Sequence, residues 1–151
     1  MDFPLESYIG AGPLKLLAGK DAFTALLGPP DRTRKRPSGE QLSWNADIFV
    51  KFTAHESADG PVATEIYFGP DCTTVSWQGM PVFGDPKAFL EQIVPADPAP
   101  LHGLGILLLR GLGIAMTGFV ENHREDLSIG LFVKGHWDND LDGMTPYSPR
   151  G

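Results

Sequence analysis

The sequence predicts an α+β protein in which two short helices lie on one face of a mainly antiparallel sheet. Two observations support this prediction. Similar segments lie 66 residues apart, and in each of them an amphipathic stripe typical of a helix is followed by β-rich runs. Segments that recur at a fixed spacing are typical of duplicated structural units. We therefore expect a single domain over residues 1–151, made of two repeats at roughly 12–77 and 78–143.

The repeat is visible when the sequence is placed over itself at an offset of 66. The identical pairs around the amphipathic stripe are Ala22 and Ala88, Phe23 and Phe89, Pro29 and Pro95, and Asp31 and Asp97. Without a gap, Ile48 then meets Ile114, and Gly69 meets Gly135 at the end of a β-rich run. The same offset therefore pairs helix with helix and strand with strand.

The two helices are predicted at residues 20–27 and 86–94. Each carries a phenylalanine and two aliphatic residues spaced to form one apolar stripe. Pro29 and Pro30 end the first helix and Pro95 ends the second, because proline cannot continue a helix.

The strands are predicted from β-rich runs bounded by turn residues. The longer ones are expected at 48–52, 62–68, 114–120 and 127–133, and shorter ones at 13–17, 73–77, 80–83 and 105–109. Polar residues at 55–61 and at 121–126 then form two hairpin loops. The chain after Trp137 is expected to be irregular.

Composition excludes several functional classes. The net charge of −7 and the isoelectric point near 4.9 argue against nucleic acid, which is bound by Lys- and Arg-rich surfaces. A single cysteine, Cys72, excludes an internal disulfide and a cysteine-based zinc site. The apolar stretch 103–120 contains five glycines and a central Arg110, so it is read as two strands rather than a membrane span. With no secretory signal at the N-terminus, the prediction is a cytoplasmic protein without a membrane partner.

No catalytic motif is recognisable, and neither a cofactor nor a metal site is predicted. His136 and Asp138 form one alternative, because residues i and i+2 of a strand share a face and a carboxylate raises the basicity of imidazole. His55 and His123, one in each hairpin loop, form another, a shared metal site. The basic run 32–36 is interpreted as a solvated loop that could contact phosphate or an acidic partner.

The acidic segment 138–143 has the D-x-D-x-D-G opening of a calcium loop. The twelfth position, where such loops carry a bidentate glutamate, is Pro149. The segment is therefore interpreted as a solvated acidic tail, with weak calcium binding left as the alternative.

Residues 12–31, with the letters Phe-Thr-Ala-Leu-Leu-Gly-Pro-Pro-Asp at their end, resemble the helix-into-LLGxP unit of small bacterial α/β repeat proteins. The β-lactamase-inhibitor-protein-like group is one example. In outline, residues 10–135 are similar to the immunity proteins encoded beside bacterial polymorphic and contact-dependent toxins. The resemblance implies a non-catalytic cytoplasmic inhibitor that binds a cognate toxin, and it carries over no individual functional residue.

The functional hypothesis is therefore binding to a toxin or another enzyme with a basic cleft. The face of the sheet away from the helices and its edge loops are expected to form the binding surface. Its candidate residues are Glu56, Asp59, Tyr67, Glu121, Glu125, Asp126, Trp137, Asp138, Asp140 and Asp142. The alternatives are a small-ligand or regulatory module with a cavity between sheet and helices, and an enzyme that uses His136 and Asp138.

Overall fold

The computed structural model describes residues 1–148 of the chain and confirms the α+β fold. Helix α1 spans Lys20–Leu27 and helix α2 spans Pro86–Ile93, close to the predicted bounds. At the start of α2, the Asp85 carboxylate accepts a hydrogen bond from the backbone N–H of Ala88 at 3.2 Å. This cap satisfies one of the N–H groups that a helix leaves without an internal partner.

Fourteen short strands account for most of the remaining regular structure in residues 1–148. They are β1 Phe3–Glu6, β2 Gly10–Ala11, β3 Leu14–Lys15, β4 Arg32–Arg36, β5 Gly39–Trp44, β6 Ile48–Thr53, β7 Val62–Phe68, β8 Val75–Trp77, β9 Met80–Pro81, β10 Leu101–Gly103, β11 Ile106–Leu109, β12 Ile114–Thr117, β13 Ser128–Phe132 and β14 Thr145–Pro146. Single turns of 3-10 helix occur at Val94–Ala96 and Arg124–Asp126.

Nine of these strands form a large, wholly antiparallel sheet in the order β14-β10-β11-β12-β13-β7-β6-β5-β4. The other five form a small sheet in the order β3-β2-β1-β8-β9, whose β1–β8 pair is parallel. In the chain, α1 is followed by four strands of the large sheet, β4 to β7, and α2 by five, β10 to β14. The two groups join at the centre of the sheet, where β7 pairs with β13.

Both helices pack on one face of the large sheet, as predicted. Phe23 of α1 contacts Phe52 of β6 edge to face, with ring centroids 5.2 Å apart. Phe89 of α2 lies 6.3 Å from the ring of Trp77 in the small sheet. All four belong to one buried core, which lies between the large sheet and the layer formed by the helices and the small sheet. Neither helix is long and apolar enough to cross a membrane.

The basic run 32–36 is not a loop, contrary to the sequence-based interpretation. It forms the edge strand β4 and pairs over its whole length with β5, another strand that was not predicted. Every side chain of β4 is exposed, so the run lacks the apolar alternation by which strands are recognised. Backbone hydrogen bonds to β5 hold it in the sheet, and charged residues are common on such edges.

Other strand ends also differ from the prediction. β12 ends at Thr117 rather than at residue 120, because Gly118 turns the chain with a positive φ of 79°. The segment after Trp137 is not wholly irregular, since β14 pairs with β10. Pro149, the twelfth position of the calcium-loop pattern, lies outside the described residues, as do residues 150 and 151.

The duplication stays a prediction. The offset of 66 places Ile48, the first residue of β6, on Ile114, the first residue of β12. It also pairs Asp31 with Asp97, and each of these carboxylates accepts a backbone N–H from the loop that precedes β6 or β12. Superposition of the two halves is the comparison that tests it.

Candidate functional site

The face of the large sheet that points away from the helices is only partly covered. Strand β6 alternates, so that Ile48, Val50 and Phe52 enter the core while Phe49 and Lys51 point to the other side. After β13 the chain folds back over this second face through successive turns at residues 133–140. We call residues 134–144 the tail segment.

The tail segment is held on the sheet by a small apolar cluster. Leu108, Ala115 and Phe132 are buried beneath it, and the tail side chains that pack on them are Trp137, Leu141 and Met144. The Trp137 ring meets the Phe132 ring edge to face at 6.4 Å. Burial of this apolar surface positions the tail beside strands β6 and β7.

A cleft of about 600 Å³ lies between the tail segment and the sheet, and we call it the tail cleft. It is lined by Lys51, Glu65, Tyr67, Leu104, Ile106, His136, Trp137, Asn139, Asp140 and Asp142. It brings together four of the predicted binding residues: Tyr67, Trp137, Asp140 and Asp142.

Glu65 lies at the centre of the polar groups in the cleft and is almost fully buried. One carboxylate oxygen accepts a hydrogen bond from the Tyr67 hydroxyl. The other lies 3.2 Å from His136 Nε2 and 3.6 Å from Lys51 Nζ. Lys51 is directly opposite Glu65 in the β6–β7 register, so strand pairing itself places this ion pair.

These contacts change the protonation behaviour of the cluster. Burial raises the pKa of the Glu65 carboxyl, but the hydrogen bonds from His136 and Tyr67 and the charges of His136 and Lys51 outweigh burial and lower it overall. The pKa of the Tyr67 phenol is raised well above its ordinary value, first by burial and then by the Glu65 charge and hydrogen bond. Glu65 is therefore an anion at neutral pH, and Tyr67 is its neutral donor.

Gly130 of β13 makes room for this arrangement. It is directly opposite Tyr67 across the β7–β13 pair, and a Cβ atom at this position would overlap the Tyr67 ring. The ring therefore lies over the glycine, which lets the phenol reach Glu65. A glycine within a strand often marks such a close approach.

The indole of Trp137 has an unused donor. Its Nε1 atom is buried, and no acceptor within residues 1–148 lies in hydrogen-bond range. At the rim of the cleft, the Leu104 side chain is 76% exposed, more than any other large apolar side chain of the described residues. Asp140 and Asp142 form no ion pair with any residue of this same range. The cleft thus presents apolar and anionic groups together.

The other predicted binding residues lie elsewhere on the molecule. Glu56 and Asp59 are in the β6–β7 loop, and Glu121, Glu125 and Asp126 are in the β12–β13 loop. These two loops lie at opposite ends of the β7–β13 pair, so their acidic residues do not form one patch. Asp138 belongs to the tail segment, near enough to Tyr8 for its charge to contribute to the raised pKa of that phenol, behind burial and Asp97.

Neither of the two histidine pairings considered as alternatives forms. The His136–Asp138 pairing assumed strand geometry, but this segment is a run of turns, and His136 contacts Glu65 instead. His55 bonds Ser57 within its own loop, and His123 lies at the other end of the sheet pair. His123, Glu125 and Asp126 place possible metal-ligand atoms within 4.8 Å of one another, but all three are exposed and nothing else there indicates an ion.

The sequence analysis did not predict Lys51 or Glu65 as site residues, nor the contact of Glu65 with His136. A sign of them was present, since Lys51 and Glu65 are the only charged residues in the predicted strands 48–52 and 62–68. A charge in a strongly apolar strand indicates either an open face or a buried partner. The structure shows both conditions: Lys51 points to the open face of the sheet, and its partner Glu65 is buried.

No protein-family model matches this chain, and neither a curated protein nor a solved structure matches it. The resemblance to immunity proteins therefore stays a hypothesis. Fold and site together define an α+β protein with a half-covered sheet face and a polar, aromatic cleft beside the cover.

Proposed function

We propose that this protein is a non-catalytic inhibitor, an immunity protein that binds a basic cognate toxin through the tail cleft in the cytoplasm. One observation carries the proposal: exposed Leu104, the half-buried Trp137 and the unpaired carboxylates of Asp140 and Asp142 line a single cleft. Protein interfaces commonly combine a tryptophan or tyrosine anchor with a charged rim.

The chemistry of the cleft fits a lysine or arginine side chain of the partner. The two tail carboxylates would bond an ammonium or guanidinium group, and the Trp137 ring face would attract the same charge. Lys51 does not compete for these carboxylates, because its ammonium group is paired with Glu65. The net charge of −7 also steers a basic protein toward this chain.

Binding kinetics with the product of the neighbouring gene test this proposal. Asp140→Lys and Asp142→Lys should slow association, and Leu104→Asn should speed dissociation without loss of stability, since asparagine tolerates the positive φ of 55° at this turn. Glu91→Lys is the matched control, because Glu91 is an exposed acid on α2 across the sheet. If all three cleft variants bind like the control, or if the neighbouring product does not bind, the proposal is wrong.

A small-ligand-binding or regulatory module is the second candidate. The observation in its favour is the size of the tail cleft together with its titratable groups, because ligand pockets fall in the range of about 300–1,000 Å³. The cleft lies on the outer face of the sheet, not between sheet and helices as the sequence analysis expected. A thermal-shift screen of small cations and anions against wild type and Glu65→Gln discriminates: a stabilising ligand that depends on Glu65 favours the module.

A further inference from the structure

The outer edge of β4 is a free strand edge with a strong positive charge. β4 is the last strand of the large sheet, and within residues 1–148 no strand pairs with its outer side. Its five residues, Arg-Thr-Arg-Lys-Arg, are all exposed and hold four of the twelve basic residues of the chain. A free edge offers backbone N–H and C=O groups to another extended segment.

None of these four cations has a carboxylate within 4.0 Å in the described part of the chain, although acidic residues outnumber basic ones by 19 to 12. Three carboxylates, those of Asp31, Asp47 and Asp71, line the same cleft as Arg32 and Arg34, and two of them accept backbone N–H groups. Asp31 accepts the N–H of Asn45 at 2.6 Å, and Asp47 accepts that of Asp71 at 3.0 Å. Within residues 1–148 the cations of β4 are therefore left without a direct ion pair.

The three arginines share one side of the strand, because they occupy alternate positions. Arg32 and Arg34 line a cleft of about 830 Å³ together with Gln41, Ser43 and Phe49 on the open face of the sheet. Arg34 lies opposite Gln41 of β5, and Gln41 lies opposite Lys51 of β6, so a further cation lies two strands inward from the edge.

We propose that the β4 edge binds an extended acidic segment of a partner protein, which adds a strand to the sheet and places carboxylates opposite Arg32, Arg34 and Arg36. Strand addition aligns alternate residues of the two strands, so the partner segment carries Asp or Glu at every second position. Arginine forks bond carboxylates bidentately, which selects this register over a shifted one.

Other occupants fit this edge less well. A second copy of this chain that paired β4 with β4 would bring four cations against four. Single-stranded DNA could pair its phosphates with the arginines, but it has no peptide N–H and C=O groups with which to extend the sheet. The β4 edge carries a charge opposite to that of the tail carboxylates Asp140 and Asp142, so it takes a different partner segment and its test does not depend on the proposed function.

Fluorescence anisotropy with a labelled decapeptide of alternating glutamate and threonine tests the proposal. A peptide of the same composition with its glutamates in one block is the control probe. We expect the alternating peptide to bind more tightly than the block peptide and to bind less tightly as salt rises. The triple variant R32Q/R34Q/R36Q should weaken it by at least roughly tenfold, while K35Q, on the other side of the strand, should have a much smaller effect.

Circular dichroism and a melting curve first show that the triple variant is folded. If the triple variant is not folded, the single variant R34Q replaces it, and we expect R34Q to weaken binding of the alternating peptide several-fold. Equal binding of the two peptides, binding unchanged by the arginine variants, tighter binding of a single-stranded DNA 20-mer, or a dimer that the peptide does not dissociate would each overturn the proposal.

Discussion

The imidazole of His136 lies 3.2 Å from the carboxylate of Glu65, and this contact joins the tail segment to the centre of the large sheet. Glu65 is buried on β7, whereas His136 lies in a run of turns that follows β13. The same carboxylate accepts a hydrogen bond from the Tyr67 hydroxyl and forms an ion pair with Lys51. Three side chains that line the tail cleft therefore meet at one buried anion.

Replacing that anion tests its contribution to stability. The folded-state pKa of Glu65 lies below its ordinary value of 4.5, so its stabilisation is complete above pH 4.5 and is lost as the pH falls below it. Glu65→Gln should lower the free energy of unfolding at pH 7 by about 1–3 kcal/mol. Below pH 4.5 the stability of the variant should fall less steeply than that of wild type.

Urea unfolding at pH 7, 5, 4 and 3 measures both effects. Glu125→Gln is the control, because this glutamate is exposed and its change should leave the unfolding curve at pH 7 nearly unchanged. If the free energies of unfolding of wild type and Glu65→Gln fall equally steeply at acid pH, the pKa of the Glu65 carboxyl is not lowered in the folded state.

The phenol of Tyr67 should titrate at unusually high pH. Burial and the Glu65 charge raise its pKa above 10.0, so the neutral phenol stabilises the fold below pH 10 and this stabilisation is lost as the pH rises above it. A spectrophotometric titration should show one tyrosine of wild type that ionises only at or near alkaline unfolding. Tyr67→Phe should remove that step. A step that persists in Tyr67→Phe contradicts the assignment.

Gly130 should not tolerate a side chain. Gly130→Ala forces the Tyr67 ring away from Glu65, and we expect the variant to lose about 1–3 kcal/mol of stability, as overpacked sites do. Gly60→Ala is the matched control, because a Cβ there meets no atom within 4 Å. Chemical denaturation compares the two, and equal stabilities would mean that the close approach of ring and glycine is unimportant.

The phenylalanines of the two helices should contribute equally large amounts to stability. Phe23→Ala and Phe89→Ala each leave a cavity in the core and should cost about 3–5 kcal/mol. Leu26→Ala, in the same helix as Phe23, should cost well under half of that, since Leu26 is 41% exposed. Urea unfolding measures all three. A Phe89→Ala cost as small as that of Leu26→Ala would argue against equivalent roles for the helices.

Calcium should not stabilise the protein. Asp140 and Asp142 line the tail cleft, and the predicted loop pattern continues to Pro149 rather than to a glutamate. We expect millimolar Ca²⁺ to change the melting temperature by no more than about one degree, measured against Mg²⁺ at equal ionic strength. A shift of several degrees that Asp140→Asn abolishes would show that the segment is a calcium site.

The sequence by itself determined the elements whose cause is local. Apolar stripes followed by proline located both helices, and β-rich runs located β6, β7 and β13 to within one or two residues. The charged run that became β4 was missed, because nothing in its own side chains indicates a strand and only pairing with β5 makes it one.

Only the tertiary structure decided which polar groups meet. The alternation of β7 places Glu65 and Tyr67 on one face, but it does not tell which distant residue will lie beside them. Because Trp137 and Leu141 pack on the apolar cluster of the sheet, the tail segment folds back over the sheet. His136 therefore lies beside Glu65. A helix or strand follows from the preferences of neighbouring residues, whereas this cluster follows from burial of surfaces far apart in the chain, which no local pattern encodes.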